Sequence, residues 1–121
     1  MDRYVDGFLL PVPKRNIPAY LKMAKSAARI WRQHGALEVR ECIGDDLKTP
    51  SGMLRFPRVA KAKPSETVVF SWIVYKSRDH RDKVNKKVMK DPRIAKMMKS
   101  KKMPFDVKRM AYGGFRVGVD A

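Results

Sequence analysis

The sequence has few cysteines and few histidines, and both shortages exclude kinds of site. A single cysteine, Cys42, cannot form an internal disulfide or a multi-thiolate metal site. The two histidines, His34 and His80, lack the clustered spacing of metal ligands. We therefore predict a protein with no bound metal and no cofactor.

Long apolar runs are also missing. No run approaches the roughly 20 apolar residues that a membrane-spanning helix needs, so we predict no membrane partner. The predicted first strand begins at residue 3, from which we expect no signal peptide. Together with the single cysteine, these features predict a cytoplasmic protein.

Acidic residues are scarce, at 12 against 28 lysine and arginine residues, which gives a formal net charge of +16. Such an excess is typical of proteins that neutralise nucleic-acid phosphates. However, the basic residues are spread over many segments, and the basic stretch 78–102 lacks interleaved aromatic residues and any base-reading motif. A lysine-rich solvated surface explains the same composition. Nucleic acid is therefore one hypothesis for a partner.

What the sequence does contain is a regular succession of apolar patterns, which predicts one domain over residues 1–121. Residues 45–65 are rich in proline and turn residues, and leave open whether Phe56 and Val59 pack through a helical turn or an extended piece. The predicted elements in chain order are strand 3–12, helix 17–34, strand 37–44, strand 67–75, helix 78–90, a short helix from 92 that ends in the basic residues 99–102, and strand 107–117.

Capping residues mark the ends of the predicted helices. Asn16, Ser77 and Asp91 are predicted N-caps, because a short polar side chain at that position accepts a hydrogen bond from a free amide of the first turn. Gly35 is predicted to end the first helix in a left-handed conformation, which glycine adopts without strain.

The order strand, helix, strand, strand, helix pair, strand predicts a βαββαβ fold of the α+β class. In this fold the four strands form one antiparallel sheet with the helices on one face. Strands 3–12 and 67–75 are apolar on both faces, so the face without helices needs another cover. A second copy of the chain is the simplest cover, and we predict a homodimer whose two sheets pack into an α+β barrel.

A set of motifs spread over nearly the whole chain carries a resemblance to a known family. They are Tyr4-Val5-Asp6-Gly7-Phe8, Glu41-Cys42-Ile43-Gly44-Asp45-Asp46, Phe56-Pro57 with Val59-Ala60-Lys61-Ala62, Glu66-Thr67-Val68-Val69-Phe70-Ser71-Trp72, Asp91-Pro92-Arg93 and the stretch 103–115. With these motifs the chain resembles the YbaA-like family of small bacterial proteins, number 1428 among the families of unknown function. That resemblance implies a ferredoxin-like fold of the dimeric α+β barrel type, and it implies no activity and no catalytic residues.

Asp6 is the first candidate for a functional residue, because it interrupts an apolar face of the first strand. A carboxylate in that position needs a charged or hydrogen-bonding partner. Arg109 on the final strand is the predicted partner, although Asp106 competes for it. A polar anchor inside the barrel and a structural ion pair both fit this pattern.

Four other residues complete the candidate set. His34 lies on the apolar face of the first helix, where it either exchanges a proton near neutral pH or interacts with the helix C-terminus. Ser71 has no nucleophile motif around it. Trp72 and Tyr112 either line a pocket or fill the core and the dimer interface.

Three functions fit these patterns. The first is a homodimer that binds a small molecule, either between sheet and helices or in the barrel lumen. The second is a basic nucleic-acid-associated protein. The third, by analogy of fold alone, is a cofactor-free enzyme of the monooxygenase-like barrel type. It predicts that Asp6, His34, Ser71 and Arg109 converge on one cavity.

Overall fold

The computed structural model describes residues 2–100 and 102–121. Within these described residues the regular structure comprises four strands, four helices and two 3₁₀ turns, at Lys14–Asn16 and Val107–Arg109. In chain order the strands and helices are β1 (Tyr4–Pro13), α1 (Ile17–Gln33), β2 (Glu38–Ile43), α2 (Phe56–Val59), β3 (Glu66–Tyr75), α3 (Arg78–Met89), α4 (Pro92–Met98) and β4 (Ala111–Arg116).

The four strands form one antiparallel sheet in the order β2-β3-β1-β4. The two strands that are apolar on both faces, β1 and β3, lie at its centre, and β2 and β4 form the edges. Helices α1, α3 and α4 pack against one face. This arrangement is the ferredoxin-like βαββαβ fold, and it confirms the fold predicted from the sequence.

The hydrophobic core fills the space between these three helices and the sheet. It consists of two clusters of buried side chains, which meet the helices at different ends of the sheet face. The first contains Ile30, Ala36, Ile73, Tyr75, Val84, Val88 and Ile94, and the second contains Leu10, Val12, Tyr20, Ala24 and Val69.

The opposite face of the sheet is not covered by α1, α3 or α4. We call it the open face and define it by Leu9, Phe70, Trp72 and Phe115, which share one side by strand alternation and register. Phe70 is 45% exposed and Phe115 is 62% exposed. The short helix α2, in the stretch that received no assignment from the sequence, brings Phe56 edge-on to Phe70 with ring centroids 6.1 Å apart.

Two of the three predicted N-caps are confirmed. The Ser77 hydroxyl accepts from the His80 amide at 3.1 Å, and the Asp91 carboxylate accepts from the Arg93 amide at 2.9 Å. The prediction for Asn16 is wrong. Its side chain donates to the Pro104 carbonyl at 3.1 Å, because the preceding 3₁₀ turn already leads the backbone into α1. Gly35 has a positive φ of +117°, as predicted for the end of α1.

The last strand is shorter than predicted. Residues 107–109 form a 3₁₀ turn instead of strand, because the Asp106 carboxylate accepts from the Lys108 amide at 3.0 Å and closes that turn. Pairing with β1 begins only at Ala111. Within β4, Gly114 allows a close approach, since a Cβ atom there would lie 2.9 Å from the Cζ atom of Tyr4. Gly114 thus makes room for the neighbouring Tyr4 ring.

Within residues 2–100 and 102–121, no helix combines the length and the apolar character that crossing a membrane requires.

Candidate functional site

A cavity of about 470 Å³ lies between the sheet and helices α1, α3 and α4. We call it the helix-side cavity. Its lining includes members of both core clusters, so it occupies the gap that the two clusters leave between them. Six of the eight methionines of the chain line it: Met23, Met89, Met97, Met98, Met103 and Met110.

Strand register brings polar side chains together on the floor of this cavity. Ser71 of β3 lies directly opposite Glu41 of β2 and Phe8 of β1, and Phe8 lies opposite Tyr112 of β4. Directly paired residues project from the same face, so these four form one row across the sheet. Asp6 is two residues before Phe8 and shares that face. The fold therefore collects one polar group from each strand under the same helices.

At the β2 end of the row, Glu41 pairs with Tyr20 of α1. The Tyr20 hydroxyl donates to the Glu41 carboxylate at 2.6 Å. Burial raises the pKa of the Glu41 carboxyl, and hydrogen bonds from Tyr20 and Ser71 lower it in part. Burial, reinforced by the adjacent Glu41, raises the pKa of Tyr20, which keeps the phenol protonated as a donor. A carboxylate has about four acceptor sites, and Tyr20 and Ser71 occupy two of them.

Near the β4 end, Asp6 forms an ion pair with Arg81 of α3. The guanidinium donates to the Asp6 carboxylate at 2.6 Å and to the Tyr112 hydroxyl at 3.0 Å. It also lies over the Tyr4 ring, 4.8 Å from the centroid. Asp6 is only 1% exposed, so a charge partner is essential for it.

The predicted partner of Asp6, Arg109, was therefore wrong. Arg109 instead makes two hydrogen bonds to Glu66, at 2.7 and 2.9 Å, and one to the Lys61 carbonyl at 2.8 Å. The reason is the 3₁₀ turn, which places Arg109 before the start of β4. Hydrogen bonds from Arg109 and from the Lys63 backbone lower the pKa of Glu66 to about 2.

His34 and Trp72 also lie outside the lining of the helix-side cavity. His34 contacts Asp91 at 2.8 Å, which joins the end of α1 to the start of α4. Arg93 and His34 together hold the pKa of Asp91 well below its usual range. Trp72 belongs to the open face and donates to Glu38 at 3.0 Å. Of the six candidate residues, the structure brings Asp6, Ser71 and Tyr112 together and leaves His34, Trp72 and Arg109 elsewhere.

Sequence reasoning missed three polar residues of this site: Tyr20, Glu41 and Asn85. Asn85 of α3 accepts hydrogen bonds from the Trp31 indole at 3.3 Å and the Tyr75 hydroxyl at 3.2 Å, which orients its amide at the cavity wall. The sequence did contain a signal for Glu41. It shares a strand face with the apolar residues Val39 and Ile43, just as Asp6 shares one with Tyr4 and Phe8. The polar residues around it indicated a solvated edge strand instead.

The charges of the lining are unlike those of the chain as a whole. Among the residues that the structure describes, no lysine, arginine or histidine lines the helix-side cavity. Within the same residues, no group of three or more histidine, cysteine, aspartate or glutamate side chains is arranged to hold a metal ion. The carboxylate, amide and hydroxyl groups at the base of this apolar cavity can form hydrogen bonds with a ligand.

Comparison with known sequences identifies close relatives. "Uncharacterized protein YbaA" of Escherichia coli strain K12 is 46% identical over 119 residues, which cover 98% of this chain and 98% of that protein. The protein of the same name from Shigella flexneri is also 46% identical over 119 residues. The family model described as "Protein of unknown function (DUF1428)" matches residues 3–107.

Solved structures share the fold with little sequence identity. SnoaB from Streptomyces nogalater, described as a cofactor-independent oxygenase, has a TM-score of 0.63 at 10% identity over 99% of this chain and 97% of its own. A NIPSNAP family protein of unknown function from Agrobacterium tumefaciens has a TM-score of 0.59 at 15% identity over 96% and 88%. A dimeric ferredoxin-like protein from an uncultured marine organism has a TM-score of 0.56 at 9% identity over 100% of both chains.

The similarity to solved structures shows the fold alone, whereas the sequence matches show the family. These sequence matches confirm the family predicted from the motifs. The chain belongs to the DUF1428 family, which includes YbaA of Escherichia coli and is described as a family of proteins of unknown function.

Proposed function

We propose that this protein binds a small, mainly apolar molecule in the helix-side cavity. The observation that carries the proposal is the cavity itself, about 470 Å³ in volume with methionine-rich walls. Ligand sites in proteins typically measure roughly 300–1,000 Å³ and combine apolar walls with a few polar groups that orient the ligand. Here the orienting groups are Glu41, Ser71 and Tyr112 on the sheet and Asn85 on α3.

We further propose that the protein acts as a homodimer paired through the open face. Phe70 and Phe115 are large apolar side chains exposed on the flat side of a sheet, and such patches are typical of protein interfaces. A second copy offers the same apolar patch and closes a symmetric interface. The fold neighbour from the marine organism, described as dimeric, supports this assembly.

The placement of the candidate residues favours binding over catalysis. The enzyme hypothesis required Asp6, His34, Ser71 and Arg109 at one cavity, and only Asp6 and Ser71 line it. Asp6 is moreover occupied by Arg81. SnoaB is described as a cofactor-independent oxygenase, but at 10% identity that activity does not transfer to this chain. The nucleic-acid hypothesis rests on the net charge alone.

A thermal-shift screen of small apolar compounds tests the binding proposal, with one variant to locate the site. A ligand at 100 times its dissociation constant stabilises the folded protein by about 2.7 kcal/mol. Ala28 lines the cavity, and we expect Ala28→Phe to fill it and to weaken binding of any hit at least tenfold. Ser26 lies on the exposed side of the same helix, so Ser26→Phe is the matched control and should leave binding unchanged. Equal binding by both variants would place the ligand elsewhere.

A further inference from the structure

The helix-side cavity differs from the rest of the molecule in charge, and the difference bears on which ligands it accepts. The chain carries a formal charge of +16, yet the ionisable groups that line the cavity are carboxylates and phenols: Asp6, Glu41, Tyr20 and Tyr112. Asp6 is neutralised by Arg81. Glu41 takes part in none of the ion pairs among the described residues, so it is the acidic group that a ligand would meet.

An anionic ligand would be opposed by this arrangement. A second negative charge next to the half-buried Glu41 would be repelled strongly, because the surrounding apolar wall screens charges much less than water does. No cationic side chain lines the described part of the cavity to offset that repulsion. Phosphates and carboxylates are therefore poor ligands for this site despite the basic surface outside.

A cation would be attracted by Glu41, but it would lose its hydration on entering the apolar cavity, and that cost can exceed the gain from a buried ion pair. The surroundings of the cavity add to this cost. Helix α4 contributes Met97 and Met98 to the cavity wall, while Lys96 of the same helix and Lys99, which follows it, line a surface depression. Together with the net charge of +16, these lysines lower the local concentration of cations at the site. A neutral ligand meets neither obstacle.

The protein itself shows which neutral group suits Glu41. The contact between Tyr20 and Glu41 is a phenol donating to a carboxylate at 2.6 Å, inside the cavity lining. The carboxylate keeps acceptor capacity for another donor. Methionine sulfur makes favourable contacts with aromatic rings, and six methionines form the walls.

We propose that the helix-side cavity selects neutral aromatic hydroxyl compounds, whose O–H group donates to Glu41 and whose rings pack among the methionine side chains. This inference rests on the proposed function, since it requires that the cavity binds a ligand. It adds the chemical class of that ligand and assigns Glu41 as the residue that determines specificity.

Four probes with the same ring system test this selectivity by calorimetric titration at pH 7. They are 1-naphthol, naphthalene, 1-naphthoate and 1-naphthylmethylammonium, which present a neutral donor, no polar group, an anion and a cation. A phenol stays protonated at this pH, since its pKa is about 10. We expect 1-naphthol to bind at least tenfold more tightly than naphthalene, and the two ions to bind more weakly than either.

Variants of Glu41 connect the selectivity to this residue. Glu41→Leu should bind 1-naphthol and naphthalene with equal affinity, because the acceptor is lost and the apolar wall stays. Glu41→Gln, which preserves the shape and one acceptor oxygen, should retain part of the preference for 1-naphthol and bind 1-naphthoate better than the native protein does. If Glu41→Leu does not fold, Glu41→Gln still tests whether Glu41 determines the preference for 1-naphthol.

The possible results separate the two proposals. Binding of all four probes with similar affinity, tightest binding of an ion, or a preference for 1-naphthol that persists in Glu41→Leu would overturn the selectivity and leave the cavity as a ligand site. Binding that survives Ala28→Phe, or no binding of any probe by the native protein, would overturn the proposed function together with the inference.

Discussion

The two faces of the sheet are built from the same strands and differ in what covers them. The helix face carries Asp6, Glu41, Ser71 and Tyr112 beneath three helices, and each of these polar groups lies at the lining of one cavity. The open face carries Phe70, Trp72 and Phe115, of which Phe70 and Phe115 are exposed. The buried polar residues Asp6 and Ser71 are thus on the helix face, and the two exposed phenylalanines are on the open face.

This reversal of the usual pattern indicates two roles. A polar group under helices loses contact with water and is tolerated only where it is paired or hydrogen-bonded. Asp6 has Arg81 and Glu41 has Tyr20 for that purpose. Exposed aromatic side chains on a sheet, in contrast, gain when another apolar surface covers them. The helix face is therefore suited to a ligand and the open face to a partner protein.

The largest effect is expected from a charge on the open face. In Phe70→Glu each protomer loses an apolar anchor worth about 2 kcal/mol, so the symmetric dimer loses about 4 kcal/mol. The dissociation constant should rise roughly a thousandfold. Sedimentation velocity at several protein concentrations measures this change. Leu21→Glu, at a residue of α1 that is 40% exposed, is the control and should leave the dimer intact. A native protein that is monomeric at low micromolar concentration would refute the proposed pairing.

A slightly smaller effect is expected on the helix face when the Asp6 ion pair is broken. Arg81→Met leaves a buried carboxylate without its charge partner, which typically destabilises a protein by about 3 kcal/mol or more. The double variant Asp6→Asn with Arg81→Met removes both charges and should recover a large part of that loss. Urea unfolding at a fixed protomer concentration gives the comparison. If the single variant is as stable as the native protein, the pair does not stabilise the fold.

The smallest effects concern two glutamates whose pKa values shift in opposite directions. The pKa of Glu66 is lowered to about 2, so its stabilising contribution is complete above its ordinary pKa of 4.5 and is lost as the pH falls through about 2. The pKa of Glu41 is raised by burial, so its contribution is complete below 4.5 and is lost as the pH rises through its folded pKa.

Glutamine variants at these two positions should therefore respond to pH with opposite sign. Glu66→Gln is expected to be less stable than the native protein at pH 7 and to approach it in acid. Glu41→Gln is expected to gain relative to the native protein as the pH rises from 4 to 7. Urea midpoints at pH 3, 5 and 7 measure both trends. A parallel pH response of the two variants would show that the environments of the two carboxylates do not differ as described.

Much of the fold was predictable because strand and helix patterns are local. Alternation along residues 3–12 and 67–75 identified the two central strands, and Ser77 and Asp91 marked helix starts correctly. Arg109 was assigned to a strand because the apolar pattern continues through Val107. The turn closed by Asp106 overrides that pattern, and local alternation does not reveal it.

The candidate site was predictable only in part. The sequence showed that Asp6 needs a partner, but Arg81 is 75 residues away on a helix whose rotation depends on packing. Glu41 looked solvated because β2 is an edge strand with polar neighbours, and only the docking of Tyr20 from α1 covers it. Contacts between side chains that are distant in sequence depend on how the helices pack on the sheet.

The sequence by itself determined the order of the elements, the antiparallel sheet, the family and the need for a cover on both faces of β1 and β3. The elements, the sheet and the need for cover follow from periodicity and capping, which act over a few residues, whereas the family follows from the resemblance of its motifs. Only the tertiary structure decided which polar groups meet and that an apolar cavity of about 470 Å³ stays between the two core clusters. The physical reason is packing, because the volume left between a helix layer and a sheet depends on every side chain that separates them.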